Sequence, residues 1–396
     1  MFMVYSDQMG YAMNMLFKNP LKMISTIEEV EELSKHLATQ TRIAVDLEGN
    51  SLHHYKERLC LMQISDVDTD YIIDLMALDH IDPLIDIMQS PEILKVMHGS
   101  DYDVVSLKRD YNCEIVNLFD TGIAAQFLNY TSFGLSSMIL HYFGIHLDKR
   151  YQKYDWSRRP LYDEHIQYAR GDTHFLLALH DILIIKLQRT PFLEACYEES
   201  QCLTEKEWNG RQFEGHDYLR LKNVHKLSLD EKKVLRALFE LRENLAEKKD
   251  VPVHFIAPNE SIYALSQIQP ANAEALKTQM PRDLVGHFKK QPNIWLEAVR
   301  IGQQDEREIP EIKAPKKPKQ HKNFQGINTK LREWRAQQQD NGAAPISLLS
   351  NQQIKAVAMA APKTLEKLGQ VPDIRQWQVS MYGEQWLQLI QAGLQR

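Results

Sequence analysis

Arg42-Ile43-Ala44-Val45-Asp46-Leu47-Glu48 is the stretch on which the fold turns. Its apolar run is short and ends in two acids spaced two residues apart. A short run of this kind reads as a buried strand. Strand alternation turns residues i and i+2 to one side, so Asp46 and Glu48 converge while Leu47 faces away. Outward from it, Leu59–Ser65 and Tyr71–Leu75 read as two more strands, and the polar link Asp66-Val67-Asp68-Thr69-Asp70 between them is a hairpin signal. A helix near Pro83–Met88 follows, then strand Ile93–His98, helix Asp101–Tyr111, strand Ile115–Asp120 and a helix from Thr121. Upstream, residues 23–40 read as an amphipathic helix, with Ile27, Val30, Leu33 and Leu37 at helical spacing. A strand meander followed by alternating helices and strands predicts an α/β core with a mixed sheet flanked by helices.

Past about residue 200 the strand signal stops. Leu229–Lys249 is a strong helix with Val234, Leu235, Leu238, Leu241 and Leu245 on one face. Helical stretches at Asn259–Ile268, Asn272–Gln279 and Leu284–Ile301 follow. Glu308–Lys322 holds three prolines and five lysines. It cannot bury a core and reads as an extended linker. Helical pattern then resumes and runs to the last residue. The two helical blocks look alike. Each has a central arginine (Arg242; Arg335) some way before a second helix (Ser261–Ile268; Asn351–Ala358), and a proline (Pro270; Pro362) after it. A small all-α domain is duplicated.

Composition narrows the classes. Apolar residues at 43% and charged residues at 25% of 396 suit globular domains. No run is long and apolar enough for a membrane span, and the start lacks the pattern of a secretory signal. Four scattered cysteines, Cys60, Cys113, Cys196 and Cys202, make no zinc pattern and read as thiols in a reducing compartment. A cytoplasmic protein is expected. The net charge of −6 hides an asymmetry: residues 313–396 carry +8 and the other 312 carry −14. A basic tail suits a polyanion, and an acidic body suits metal ions or is simply solvated.

Asp103 falls in the first turn of the helix after strand Ile93–His98, and Tyr168 and Asp172 are four apart on a helix, hence on one face. Clustered carboxylate oxygens are what hard Mg²⁺ or Mn²⁺ ions require. Two such ions activate a water and stabilise the leaving oxygen of a phosphodiester, and a tyrosine hydroxyl beside them orients that water. With 53 acids in 396 residues, neither acid-x-acid nor Tyr-x-x-x-acid is rare by itself. Their order and their placement on the right elements carry the weight.

V-D-L-E (45–48), H-G-S-D-Y-D (98–103), L-D-K-R-Y-Q-K-Y-D-W-S-R-R-P-L (147–161) and Y-A-R-G-D (168–172) together resemble the ribonuclease D family, in the tyrosine branch of the DEDD exonuclease superfamily. The helical blocks resemble tandem helicase-and-RNase-D C-terminal (HRDC) domains. The resemblance implies an RNase H-like exonuclease core at 23–205, a first HRDC domain at 215–302, a basic linker at 303–323 and a second HRDC domain at 324–396. Asp46, Glu48, Asp103 and Asp172 would ligate two divalent metal ions, Mg²⁺ or Mn²⁺, and Tyr168 would hold the attacking water. Leu47 stands where the family usually has Thr. Trp156 and Arg159 match family positions, Trp156 as core and Arg159 as either structural or phosphate-facing. Gln63 and His98 also match, with buried hydrogen-bonded roles expected, and Asp120 is expected to be structural. Residues 1–22 have no counterpart in the family, whose opening Met23–Glu29 resembles. They are expected to be a poorly packed N-terminal extension.

The implied activity is 3′→5′ exoribonuclease cleavage of RNA 3′ ends, which the resemblance extends to tRNA precursors, with release of 5′-monophosphates. Arg159, Lys316, Lys317, Lys319 and Lys322 are the expected nucleic-acid contacts, and the HRDC domains offer surfaces for protein contacts. Two rivals stay open. One is a DNA exonuclease on the same scaffold, because no motif reports 2′-OH recognition. The other is a nucleic-acid-binding scaffold with weak catalysis, against which the intact acids speak.

Overall fold

The computed structural model describes residues 17–208, 215–310 and 321–394. They fall into two units, one of 17–48, 59–208 and 321–394, the other of 49–58 and 215–310.

In the first unit a six-stranded mixed sheet runs in the order β1-β4-β3-β2-β5-β6. Its strands are β1 (Leu21–Ile24), β2 (Arg42–Gly49), β3 (Leu59–Ser65), β4 (Asp70–Asp74), β5 (Leu94–Met97) and β6 (Leu118–Asp120). β3 and β4 form the expected antiparallel hairpin, while β1 pairs with β4, β5 with β2 and β6 with β5 in parallel. Helices cover both faces. On one, Ile43, Val45 and Leu47 of β2 join α1 (Ile27–Leu37), α2 (Asp82–Gln89) and α3 (Asp101–Tyr111) through Val30, Leu33, Leu84, Ile87, Val104 and Leu107. On the other, Ala44, Val96 and Phe119 join α4 (Thr121–Phe127), α5 (Leu135–Phe143), α7 (Leu176–Leu187) and α8 (Leu193–Leu203). Between α5 and α7 lies α6 (Asp163–His174), packed over β3 and β4. This is the expected α/β core.

The beginning of the chain departs from expectation. The helix predicted from residue 23 starts only at Ile27, where Thr26 and Glu29 form a reciprocal capping box. Leu21–Ile24 is instead a strand. Residues 17–22 are anchored rather than loose, although Lys18, Pro20 and Lys22 are exposed. Phe17 is buried, with its ring 4.9 Å from that of His174 and 4.6 Å from the Arg170 guanidinium. The Asn19 carbonyl accepts from Arg170, and the Pro20 carbonyl accepts from the Asp70 N–H at 3.0 Å. Residues 1–16 lie outside the described residues.

The first helical block contains α9 (Leu229–Lys249), α10 (Val253–Ile256), α11 (Asn259–Ile268), α12 (Ala273–Gln279) and α13 (Pro292–Gln303). The helix predicted at Leu284–Ile301 is broken: Val285–Phe288 is a 3₁₀ turn, and Pro292 starts a new helix at its first turn, where a missing N–H costs nothing. The second block contains α14 (Phe324–Asp340), α15 (Asn351–Ala360), α16 (Leu365–Gly369) and α17 (Gln376–Leu394).

The two blocks use the same devices. Arg242 donates to the Ala257 carbonyl (3.3 Å) and Asn259 Oδ1 (2.7 Å), and Arg335 donates to the Leu349 carbonyl (3.1 Å) and Asn351 Oδ1 (2.9 Å). First and last helices cross at glycine. A Cβ on Gly302 would lie 2.4 Å from Val234 Cα, and one on Gly393 would lie 2.7 Å from Ile327 Cα. Only glycine permits either approach.

The second block is also seated on the α/β core. Glu198 and Glu199 of α8 accept from the backbone N–H groups of Gln376 and Trp377 and from the Trp377 indole. Trp377 is buried edge-on against Phe127 at 5.4 Å. Trp334 and Trp386 are buried in the block's own core.

A chain beginning at Met23 loses Phe17 and half of β1. Burial of one aromatic side chain is worth about 1.5–3 kcal/mol, which in a domain of this size is roughly 5 °C of Tm. Thermal melts should show the truncated chain, and Phe17→Ala in the full chain, melting lower by about that amount. Coincident melts would mean that the segment adds nothing to the core.

Candidate active site

β2 sets the site. Ile43, Val45 and Leu47 point into one core, so Asp46 and Glu48 emerge on the opposite face, and Leu47 turns away from them as alternation requires. On α6 the four-residue spacing of Tyr168 and Asp172 places both on one side of the helix. Carboxylate oxygens of Asp46, Glu48 and Asp172 lie within 4.8 Å of one another. Asp103, in the first turn of α3, stands outside that set, but its charge is felt at Glu48 and Asp172 and it feels Asp46 in turn. The structure thus brings together all four predicted acids, three closely and one at the margin.

Burial is the main electrostatic fact. It pushes Asp46, Glu48 and Asp103 well above the ordinary carboxylate range, and neighbouring acids push further: Asp172 on Asp46, Asp46 on Glu48 and on Asp103. Asp172 rises to about 7, by burial first and the Asp103 charge second. The Trp156 indole N–H pulls Glu48 the other way. Burial, then Asp172, Glu48 and Asp46, also raise Tyr168, so its phenol stays protonated. Its ring packs against Trp156 (centroids 5.7 Å apart) and Tyr151 (5.9 Å).

The surrounding polar contacts hold these groups in place. Asp120 accepts from Gly99 N–H (3.1 Å), Ser100 N–H (2.8 Å) and the Ser100 hydroxyl (2.9 Å), and it caps α4 through Gly122 and Ile123. One buried carboxylate thereby ties the turn that starts α3 to the start of α4. Gly99 makes that turn at φ +68°, where a side chain would be strained. α6 is pinned to the sheet by Arg170 and His174 on Asp70 (2.5 and 2.8 Å) and by the Ser65 hydroxyl on Thr173 (2.8 Å).

Other predicted residues divide. Asp120 is structural, as expected. His98 is hydrogen-bonded through Nδ1 to Thr121 Oγ1 at 2.8 Å, also as expected. Trp156 is core, at 1% exposure. Arg159 pairs with Asp74 and donates to the carbonyls of Trp156, Arg158 and Cys60, the contacts of its structural reading. Lys322 is exposed. Lys316, Lys317 and Lys319 lie outside the described residues. Gln63 is buried as expected, but neither amide atom has a hydrogen-bond partner among the described residues. Sequence reasoning missed Asp70 and Arg170 as the brace of the site's helix, although Arg170 sits inside the Y-A-R-G-D motif.

The donor set fits hard divalent cations. Several carboxylates crowd where burial and mutual repulsion disfavour charge, and a bound cation relieves both. No helix among the described residues is long and apolar enough to cross a membrane, and the cysteines form no disulfide.

Comparison with known proteins agrees with this geometry. The family profile described as a 3′-5′ exonuclease matches residues 21–188, and the HRDC domain profile matches residues 231–281 and 325–390. The chain is 41% identical over 255 residues to an exosome complex component 10 homolog of Caenorhabditis elegans, covering 63% of this chain and 29% of that one. It is 33% identical to the protein RRP6-like 1 of Arabidopsis thaliana over 270 residues, covering 64% of this chain and 42% of that one. The chain thus spans about a third of the length of the curated relatives it matches. Escherichia coli RNase D, at 23% identity, shares the fold with a TM-score of 0.67 over 94% of this chain and 98% of that one. The crystal structure of the catalytic core of RRP6 from Trypanosoma brucei is 30% identical with a TM-score of 0.61, over 72% of this chain and 80% of that one. Identity at that level across most of a catalytic core, on a shared sheet and with both helical blocks matched, means that the chain belongs to the RRP6/ribonuclease D family of 3′-5′ exonucleases carrying HRDC domains.

Proposed function

We propose that the protein is a 3′→5′ exoribonuclease that removes 5′-monophosphates one at a time from RNA 3′ ends by two-metal-ion hydrolysis. The observation that carries this reading is the convergence of Asp46, Glu48 and Asp172 within 4.8 Å, beside Tyr168. Asp46, Glu48, Asp103 and Asp172 would hold two Mg²⁺ or Mn²⁺ ions. When bound, the ions supply an activated water and neutralise charge on the leaving oxygen. Tyr168 orients that water. Escherichia coli RNase D, which shares the fold, is described as an exoribonuclease involved in structured RNA processing, and this supports RNA over DNA as substrate. Precursor RNAs, tRNA precursors among them, are the proposed substrates. The HRDC domains are the proposed surface for protein partners, and the cytoplasm is the proposed location.

A product time course on matched RNA and DNA oligonucleotides tests this. RNA should shorten from its 3′ end in single-nucleotide steps with Mg²⁺ or Mn²⁺ and stop with EDTA. Asp46→Asn and Asp103→Asn should nearly abolish turnover. Tyr168→Phe should lower it by about 10²–10⁴ with RNA binding little changed. Equal loss of binding and turnover for Tyr168→Phe would assign it to packing, and faster DNA cleavage would overturn the RNA reading.

Stability should depend on pH in a defined sense. The acids bind protons more tightly folded than unfolded, so their contribution is complete below pH about 4 and is lost as pH rises through their folded values, about 7 for Asp172. In EDTA, Tm should fall from pH 5 to pH 8. The rise in Tm on adding Mn²⁺ should grow over the same range, and Asp172→Asn should flatten the EDTA profile. A Mn²⁺ shift independent of pH would contradict this site.

The lysine-rich linker is proposed to capture RNA. Removing residues 313–396 would also strip the second helical block from Phe127, so substitution is the cleaner test. Replacing Lys316, Lys317, Lys319 and Lys322 with Gln should flatten the salt dependence of RNA binding by roughly 2–3 units, at about 0.7 per phosphate contact on a single strand. An unchanged slope would make these lysines a solubilising tether.

A further inference from the structure

Gln63 lies at the centre of β3, fully buried, with both amide atoms unpartnered among the described residues. Its surroundings follow from the strand. Met62 and Ile64 point into the core that also receives Val45 and Leu47 of the adjacent β2. Gln63 therefore faces the other way, on the side of the sheet from which Asp46 and Glu48 emerge. Its neighbours on that side confirm the direction. Leu61 packs with Trp156, Tyr168 and Ala169, and Ser65 donates to Thr173. The amide is thus enclosed between the sheet and the stretch of α6 that carries Tyr168 and Asp172.

A buried amide with no partner is expensive, and an apolar side chain of the same shape would avoid that cost. Carboxylates that ligate a cation need their remaining lone pairs satisfied by outer donors, which set the direction of the ligating oxygens. We propose that Gln63 is a positioning residue of the carboxylate cluster. With a cation in place, its amide N–H group would donate to a non-ligating oxygen of Asp46 or Asp172 and its Oε1 would accept from water at the site, bonds that are not formed among the described residues. This rests on the metal-binding reading above, and it assigns to the site a group outside the four acids and the tyrosine.

The test separates the two ideas, because stability and metal affinity should move in opposite directions. Gln63→Met keeps length and shape without the amide, and Gln63→Leu serves as a second variant. In EDTA both should melt at or a few degrees above the wild-type chain, because an unpaired polar group has gone. Mn²⁺ affinity, measured by calorimetric titration without RNA, should fall about 10–100-fold. At saturating Mn²⁺ much of the turnover should return. Unchanged Mn²⁺ affinity in the variants, with a normal wild type, would overturn the role of Gln63 alone. Variants that melt well below wild type in EDTA, or do not fold, would make Gln63 a structural residue and overturn the proposal equally. A wild-type chain that takes up no Mn²⁺ would overturn the metal reading itself, and this inference with it.

Discussion

The repulsion among half-buried carboxylates is the constraint on which the remainder of this fold depends. Asp46, Glu48 and Asp172 are held within 4.8 Å of one another, with Asp103 near enough to add its charge. Left to themselves, such groups would separate or take up protons. They stay together because each is mounted on an element with no freedom to retreat. β2 is central in the sheet, with core on both sides. The turn into α3 is tied down by Asp120, and α6 is braced by Asp70 through Arg170 and His174. Asp70 and Asp120 are acids too, fully buried and each engaged by several donors, whereas among the site acids burial and mutual repulsion outweigh the donors present. The same side-chain type is structural or chemical according to how fully the fold compensates its charge.

That contrast explains how far the sequence could be read. Asp46-Leu47-Glu48 was legible because strand period and hydrophobic pattern agree, and Tyr168 and Asp172 because helix period does the same. The strand at Leu21–Ile24 was not. It is a short edge strand with only Ile24 buried, so no alternation marks it. Phe17 was invisible for another reason: its neighbours Arg170, His174 and Phe175 are more than 150 residues away in the chain. Arg159 illustrates a different failure. A motif shows that an arginine is required but not whether it answers to a phosphate or to Asp74. At Leu284–Ile301 the apolar spacing outweighed a proline that in fact starts a second helix.

The duplicated helical blocks show the same logic on a smaller scale. Arg242 and Arg335 perform one task, holding a carbonyl and an Asn side chain at the start of the next helix, and the glycines at Gly302 and Gly393 admit a second helix at backbone distance. Their environments have diverged. Arg242 is fully buried, paired with Glu243 and set over the Phe239 ring, whereas Arg335 keeps part of its surface in water. A buried guanidinium that lost its partners would be costly, so the first block is bound more tightly to this device than the second.

The second block has spent its outer surface differently. The start of α17 is capped from outside its own domain, by Glu198 of the nuclease core, and Trp377 leaves its block's core to sit against Phe127. Arg375 and Glu199 continue the contact as an ion pair at 3.5 Å. Two acids of the negatively charged body are thereby used to hold the positively charged C-terminal region, through a helix N-terminus, an indole N–H and a guanidinium. The charge asymmetry along the sequence is therefore more than an advertisement for polyanions. Part of it is consumed within the fold, while Lys322 stands exposed at the threshold of the block.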